Sequence, residues 1–143
     1  MEILQNTCLI SAVLAWAVAQ LCKLLIELVA HHRLDWERLT GDGGMPSGHS
    51  ATVTALAAAA LLQYGTASFQ FAISAVLAII VMHDATGVRW QAGQHARTIN
   101  ELLLKLSDTP PEQLLEEFLG HTPLQVACGA LLGAAVAILY SLP

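Results

Sequence analysis

Only 12% of the 143 residues are charged, whereas 55% are hydrophobic. Soluble domains carry roughly 25% charged residues, so this composition excludes an ordinary soluble enzyme and a disordered tail. Six Lys and Arg residues against eleven Asp and Glu residues give a net charge of −5, which leaves no basic surface for nucleic acid. We therefore expect a small integral membrane protein that contacts membrane lipid and binds no nucleic acid.

Three windows contain no Asp, Glu, Lys, Arg or His: residues 3–22, 50–82 and 122–143. A helix needs about 20 apolar residues to cross a bilayer, and the turn signal at residues 63–66 divides the middle window into two. The sequence predicts an all-α helical membrane bundle in a single domain, residues 1–143, with about four transmembrane helices near residues 5–30, 47–64, 68–84 and 122–141. We favour a first span over a cleaved signal peptide, because no basic segment precedes it.

Four spans place both termini on one side of the membrane and the loops 31–46 and 85–121 on the other. Five of the six Lys and Arg residues lie in those loops, so the positive-inside rule predicts that the loops are cytoplasmic. Within a loop or interfacial insertion at about 90–119, Thr109–Glu112 is a capping box and Gly120 a helix stop. This pattern predicts a short amphipathic helix, whose apolar stripe would lie on the membrane surface or cover a site; we favour the surface.

Small residues form faces on the second and fourth predicted spans: Ala55, Ala58, Ala59, Gly129, Gly133 and Ala137. Such faces permit close helix packing, either within the chain or in a homo-oligomer. The three cysteines, Cys8, Cys22 and Cys128, have no ligand spacing and are interpreted as packing residues, so neither a metal nor a cofactor is expected.

Lys23 and Glu27 lie four residues apart in the first predicted span, where ionisable groups are costly and therefore functional candidates. The alternative is a pair that neutralises itself, or a lysine that extends to the interface. The segment Gly43–Ala51 combines glycines with Pro46 and two serines, a composition typical of a capped helix start. A helix N-terminus binds anions, and His49 there could donate a proton, although a structural cap with an incidental histidine explains the same residues.

Two further segments would meet the first one at the same membrane face. His83–Arg89 leaves the third predicted span; its Arg89 suits phosphate oxygens, and Asp84 could hold that arginine. Gly120–Val126 opens the last predicted span, with His121 at the helix start and Gln125 one turn further on. Two histidines, several cations and a capped helix in one place would form a phosphoryl-transfer site without metal.

These segments resemble the phosphatidic acid phosphatase type 2 superfamily, which shares its active site with the vanadium-dependent haloperoxidases. Pro46-Ser47-Gly48-His49 matches the P-S-G-H motif of that superfamily. The similarity is greater to its divergent branch of small bacterial and plastid membrane proteins, whose pattern continues with D-A-x-G-V-R-x-x-x-G and G-H-T-P-x-x-V-x-x-G-x-x-L-G. Gly43–Ala51, Asp84–Gly93 and Gly120–Gly133 follow that order, so the resemblance covers nearly the whole chain.

The resemblance implies a multi-pass protein of the bacterial inner membrane that hydrolyses a phosphomonoester or diphosphate of a lipid through a phosphohistidine. His121 would be the nucleophile, and His49 would protonate the leaving alcohol and then activate water. The remaining roles fall to residues that hold phosphate or orient the site: Lys23, Ser47, Gly48, Arg89 and, as a weaker candidate, Arg33 for phosphate, with Gln125 and Asp84 for orientation.

Two departures from the family pattern support an alternative. Arg33 has neither the spacing nor the following proline of the first motif, and Gln125 stands where the family has the acid that orients the nucleophilic histidine. Asp84 or Glu117 could stand in for that acid. The alternative is a weakened or inactive membrane scaffold that binds an anionic lipid or a protein partner. A transporter built on Lys23 and Glu27 ranks last, because four short spans offer little pathway.

Overall fold

The computed structural model describes residues 2–31, 44–106 and 113–142. In these ranges the chain forms helices and irregular segments, with no strand, so the all-α prediction is confirmed. A 3-10 turn, Glu2–Gln5, precedes five α-helices: α1 (Thr7–His31), α2 (Gly48–Tyr64), α3 (Phe69–Thr86), α4 (Val88–Leu106) and α5 (Pro123–Ser141).

Three of these segments are long and apolar enough to cross a membrane: Thr7–Val29, Phe69–Leu106 and Pro123–Ser141. The second runs through α3 and α4, which only Gly87 separates. Helix α2 corresponds to the second predicted span, but its 17 residues, rich in Ala, make it shorter than the other three. The bundle is arranged around α2, which contacts α1, α3 and α5.

Helix α5 packs against α2 through glycines rather than through large side chains. A Cβ at Gly129 would overlap the carbonyl oxygen of Ser47, and one at Gly133 would overlap that of Ala51. One turn further along each helix, Ala55 and Ala137 are fully buried. Without a hydrophobic driving force in lipid, helices gain most from such close backbone approach. Most residues of the small-residue faces predicted from the sequence are therefore buried between helices of the same chain.

The prediction of a short amphipathic helix before Gly120 is wrong for residues 113–119. Residues 113–119 form no helix, while the capping box Thr109–Glu112 lies outside the described residues. The amphipathic helix of this region is α4, most of which lies in the loop or interfacial insertion predicted at about 90–119. The physical reason is tertiary: residues 113–120, here called the strap, run against α4 and bond to it.

Asn100 of α4 holds the strap with its buried side-chain amide. Its Nδ2 donates to the Leu115 carbonyl oxygen at 2.8 Å and to Glu117 Oε1 at 2.8 Å, and its Oδ1 accepts the Leu115 N–H at 2.9 Å. Gly93, two turns earlier, leaves space for the backbone of the strap, since a Cβ there would lie 2.7 Å from the Glu117 carbonyl oxygen. The amide satisfies backbone groups that a helix would otherwise have paired.

We predict that Gly133→Val destabilises the bundle, because the added atoms overlap the backbone of α2. Overpacking of a close contact costs about 1–3 kcal/mol. Thermal unfolding of the detergent-purified chain, followed by circular dichroism, should show a lower midpoint. Ala135→Val is the matched control, since Ala135 lies on the exposed side of the same helix. Equal midpoints for the two variants would contradict the close α2–α5 contact.

We also predict that Asn100→Ala releases the strap, because it leaves the Leu115 N–H and carbonyl without their partner. A typical intramolecular hydrogen bond contributes about 0.5–1.5 kcal/mol, and this change removes the bonds of Asn100 to Leu115 and Glu117. Hydrogen exchange measured by mass spectrometry should show faster exchange in peptides covering residues 113–120. His95→Ala, an exposed change on α4, serves as the control. Unchanged exchange in Asn100→Ala would mean that other contacts hold the strap.

Candidate functional site

The three sequence motifs meet at one cavity of about 200 Å³. It lies between the start of α2, the end of α3, the start of α4 and the start of α5. Eight described residues line it: His49, Ile80, Val81, Asp84, Ala85, Arg89, Gly120 and His121. His49, Arg89 and His121, which are far apart in the sequence, therefore line the same cavity.

Two features fix the position of His121: a hydrogen bond of its own N–H and the close packing of the preceding residue, Gly120. Its N–H donates to the Ala85 carbonyl oxygen at 2.9 Å, which uses an acceptor in the last turn of α3. Gly120 has a φ of +79° and lies against the backbone of Arg89 and Trp90, where a Cβ would overlap the Trp90 nitrogen. Only glycine meets both conditions, so this residue allows the chain to cross the start of α4 and deliver His121 beside Arg89.

Gln125 selects the tautomer of His121. Thr122 and Gln125 form a capping box, in which the Thr122 N–H donates to Gln125 Oε1 at 2.9 Å. That bond identifies the atom as the amide oxygen, and the same oxygen lies 3.3 Å from His121 Nδ1. Since an oxygen can only accept, Nδ1 carries the hydrogen in the neutral ring and Nε2 keeps the lone pair. The ring itself is 3% exposed.

Asp84 orients Arg89 in this structure. Arg89 Nε donates to Asp84 Oδ2 at 2.8 Å, and both side chains are partly exposed at the cavity. From the sequence, Asp84 and Glu117 are also candidates to replace the acid that the family has at position 125. The contacts described for these two acids lie elsewhere: Asp84 with Arg89, and Glu117 with Asn100. Gln125 is the residue that contacts His121 Nδ1.

Ser47 joins the start of α2 to α5. Its N–H donates to the Gln125 carbonyl oxygen at 3.1 Å, and its hydroxyl accepts from the Ser50 N–H at 3.3 Å as the cap of α2. Ser47 is fully buried, whereas His49 is exposed toward the cavity opening. Because the Ser47 N–H already has a partner, Gly48 and His49 supply the first N–H groups of α2, which lack acceptors within the helix.

Lys23 lies near these residues but not among those that line the cavity. Its aliphatic carbons are about 3.8–4.0 Å from the position that a Cβ on Gly44 would take. One and two turns earlier on α1, Gln20 and Trp16 lie against Gly48, where a Cβ would be 3.5 Å from Trp16 Cδ1. Sequence reasoning missed Trp16 and Gln20; their spacing on α1, seven and three residues before Lys23 and so on the same helix face, was the available signal. Arg33 lies outside the described residues.

Within the described part of the chain, no group of three or more His, Cys, Asp or Glu residues could hold a metal ion. The candidate site is a cleft that combines His49 and His121, an arginine oriented by Asp84, and the N-terminus of α2. It lies at one end of a membrane-type helical bundle.

Comparisons with known proteins identify a family and a relative for this chain. A model of the Divergent PAP2 family matches residues 4–136. The chain is also 41% identical, over 146 residues, to the uncharacterized membrane protein YuiD of Bacillus subtilis (strain 168), covering 93% of this chain and 92% of that protein. No solved structure matches. The chain belongs to the Divergent PAP2 family.

We predict that His121 is the Nδ1–H tautomer when its ring is neutral. Solid-state ¹⁵N NMR of the histidine-labelled chain in bilayers, at alkaline pH, should show a protonated Nδ1 and an unprotonated Nε2, with the signal assigned by comparison with His121→Asn. Gln125→Leu should increase the Nε2–H tautomer because the acceptor is gone, whereas Gln91→Leu, an exposed change on α4, should not. A predominant Nε2–H form in the unaltered chain would contradict the role given to Gln125.

Proposed function

We propose that the protein is a membrane-embedded, metal-independent phosphatase that hydrolyses a phosphomonoester or diphosphate of a lipid through a phosphohistidine. One observation carries this proposal: His121, with Nδ1 directed at Gln125, shares a cavity with His49 and Arg89. A nucleophile, a proton donor and a phosphate-binding cation are the minimum for such a reaction.

The reaction would proceed in two displacements at phosphorus. His121 Nε2 attacks, an N–P bond forms and the bond from phosphorus to the alcohol oxygen breaks, while His49 gives its proton to that oxygen. His49 then takes a proton from water, and the water oxygen attacks phosphorus. The N–P bond breaks, which returns neutral His121 and releases inorganic phosphate. One histidine thus serves as acid in the first step and as base in the second.

Positive charge around the phosphate would stabilise both displacements. Arg89, held by Asp84, presents guanidinium donors to phosphate oxygens. The first N–H groups of α2, from Gly48 and His49, add the positive end of a helix dipole. Lys23 would reach the phosphate past Gly44, against which its aliphatic carbons lie. Arg33 remains a candidate from the motif comparison alone, and Ser47 contributes by holding α2 in place.

Gln125 makes this site weaker than one with a carboxylate. The attack of Nε2 on phosphorus places positive charge on the imidazole ring, which a carboxylate at Nδ1–H would stabilise. The amide oxygen accepts the same hydrogen bond and keeps the tautomer, but it supplies no charge. We therefore expect turnover at a modest rate, with Gln125 acting as a positioning residue.

The proposed substrate is a lipid because the cavity adjoins the apolar surface of α3. Ile80 and Val81 form part of its wall, and Ile80 is 59% exposed on the outside of the bundle. A headgroup at Arg89 could thus keep its acyl chains beside a membrane-type helix. We place the protein in the bacterial inner membrane, with the site at the cytoplasmic face by the distribution of Lys and Arg.

We predict that the detergent-purified chain releases inorganic phosphate from phosphatidic acid in mixed micelles containing EDTA. His121→Ala should lower the rate at least about 10³-fold, since the nucleophile is lost. His95→Ala is the matched control, because His95 is an exposed histidine on α4 outside the cavity. Release that survives His121→Ala would overturn the assignment of the nucleophile.

A weakened or inactive scaffold that binds an anionic lipid is the second candidate, and the amide at position 125 favours it. Vanadate separates the two, because the nucleophilic histidine of a competent site should bind it. For the enzyme, we expect vanadate to inhibit phosphate release and to protect His49, the exposed histidine of the cavity, from modification by diethyl pyrocarbonate. Absence of both phosphate release and vanadate protection would favour the scaffold.

A further inference from the structure

Helix α4 presents three distinct faces. The face with Gly93, Ala96 and Asn100 is buried and receives the strap. A second face is polar and exposed, and within it Arg97 Nε donates to Glu101 Oε1 at 3.2 Å. The third face, here called the apolar stripe, consists of Val88, Ile99, Leu102, Leu103 and Leu106.

The residues of the apolar stripe are all exposed: Val88 lies at the start of α4, and the other four lie in its last two turns. Its residues follow one another at spacings of 11, 3, 1 and 3, and at 3.6 residues per turn they lie within about 100° of the helix circumference, on a side that also carries Ala92 and His95. Val88 is 71% exposed and Leu106 is 82% exposed, at opposite ends of the helix. The four large side chains within residues 99–106, left in water along about 10 Å of helix, would be unfavourable.

The position of α4 in the chain indicates what covers this stripe. Gly87 alone separates α4 from α3, whose last turns expose Ile79 and Ile80 on the outside of the bundle. The surface of α3 that faces lipid is therefore continuous along the chain with the first residue of the stripe, Val88. Because α4 starts where α3 ends, its N-terminus lies at the depth of the membrane boundary.

Helix α4 is too polar to continue across the bilayer. It carries Arg89, Arg97, Glu101 and Lys105, and each charge at a bilayer centre costs about 2.5–3.5 kcal/mol on insertion scales. Its polar face, centred on Gln94, Glu101 and Lys105, is rotated by about 130° around the helix axis from the stripe. A helix that lies in the plane of the membrane interface has such an arrangement: one side contacts lipid, a second contacts water and a third contacts the rest of the protein.

We propose that α4 lies along the membrane interface, with the apolar stripe inserted at the boundary between headgroups and acyl chains. The occupant of the stripe is the lipid surface rather than a second copy of the chain. Since Arg89 lies in the first turn of α4 and Gly120 packs on the backbone of Arg89 and Trp90, the depth of this helix sets the height of the cavity in the membrane. The proposal does not depend on catalysis.

The test uses full-length protein in lipid nanodiscs with one nitroxide label per chain. Cys8, Cys22 and Cys128 are replaced by alanine, and single cysteines are introduced by Leu102→Cys and Leu106→Cys on the stripe. Glu101→Cys and Lys105→Cys, on the polar face of the same turns, are the matched controls. Electron paramagnetic resonance then compares collision with oxygen, which concentrates in lipid, against collision with a water-soluble nickel chelate.

We expect the ratio of oxygen to nickel collision to be several-fold higher at residues 102 and 106 than at residues 101 and 105. Equal ratios at all four positions, with nickel collision as high as in solution, would place the stripe in water and overturn the proposal. Dipolar broadening at residue 102 that disappears on dilution with unlabelled protein would instead identify a second copy as the occupant, which also overturns it. Circular dichroism of each variant checks that the helices are retained.

Discussion

The contact between the start of α2 and the first turns of α5 determines most of this structure. Gly129 and Gly133 bring the backbone of α5 so close to α2 that the Ser47 N–H donates to the Gln125 carbonyl oxygen at 3.1 Å. Close backbone approach is the main source of stability between helices surrounded by lipid. The same contact sets the two helix N-termini side by side. His49 lies in the first turn of α2 and His121 directly precedes Thr122, the cap of α5, so the packing of glycines brings both to one cavity.

Gln125 connects the packing to the chemistry of the site. Its carbonyl oxygen bonds to Ser47, and its side-chain oxygen both closes the cap of α5 at Thr122 and faces Nδ1 of His121. A carboxylate would make the same contacts and add negative charge. The amide keeps the geometry of the site and gives up the electrostatic contribution. The position of the side chain at residue 125 and its charge are therefore separate properties of this site.

The region between α3 and α5 shows where local sequence signals fail. The capping box and the helix stop at Gly120 predicted a short helix, and the polar residues before them suggested a loop. In the structure α4 is the helix, and residues 113–120 form a strap along it. The decisive group is Asn100, whose amide pairs with both backbone groups of Leu115. The sequence around Asn100 gives no indication that its side chain has a partner 15 residues further along the chain. Local propensity therefore could not predict that residues 113–120 form a strap rather than a helix.

By itself the sequence determined that the chain is helical, that apolar helices of membrane-crossing length occur in it, and which residues carry the family motifs. These properties depend on composition, periodicity and residue identity, all of which are local. The tertiary structure decided which motif residues share a cavity, that Asp84 holds Arg89, and that Ser47 serves the α2–α5 contact. It also decided that the small-residue faces are buried within the chain. The physical reason is that each of these outcomes depends on contacts between distant segments, where a missing Cβ or a single amide decides which backbones can meet.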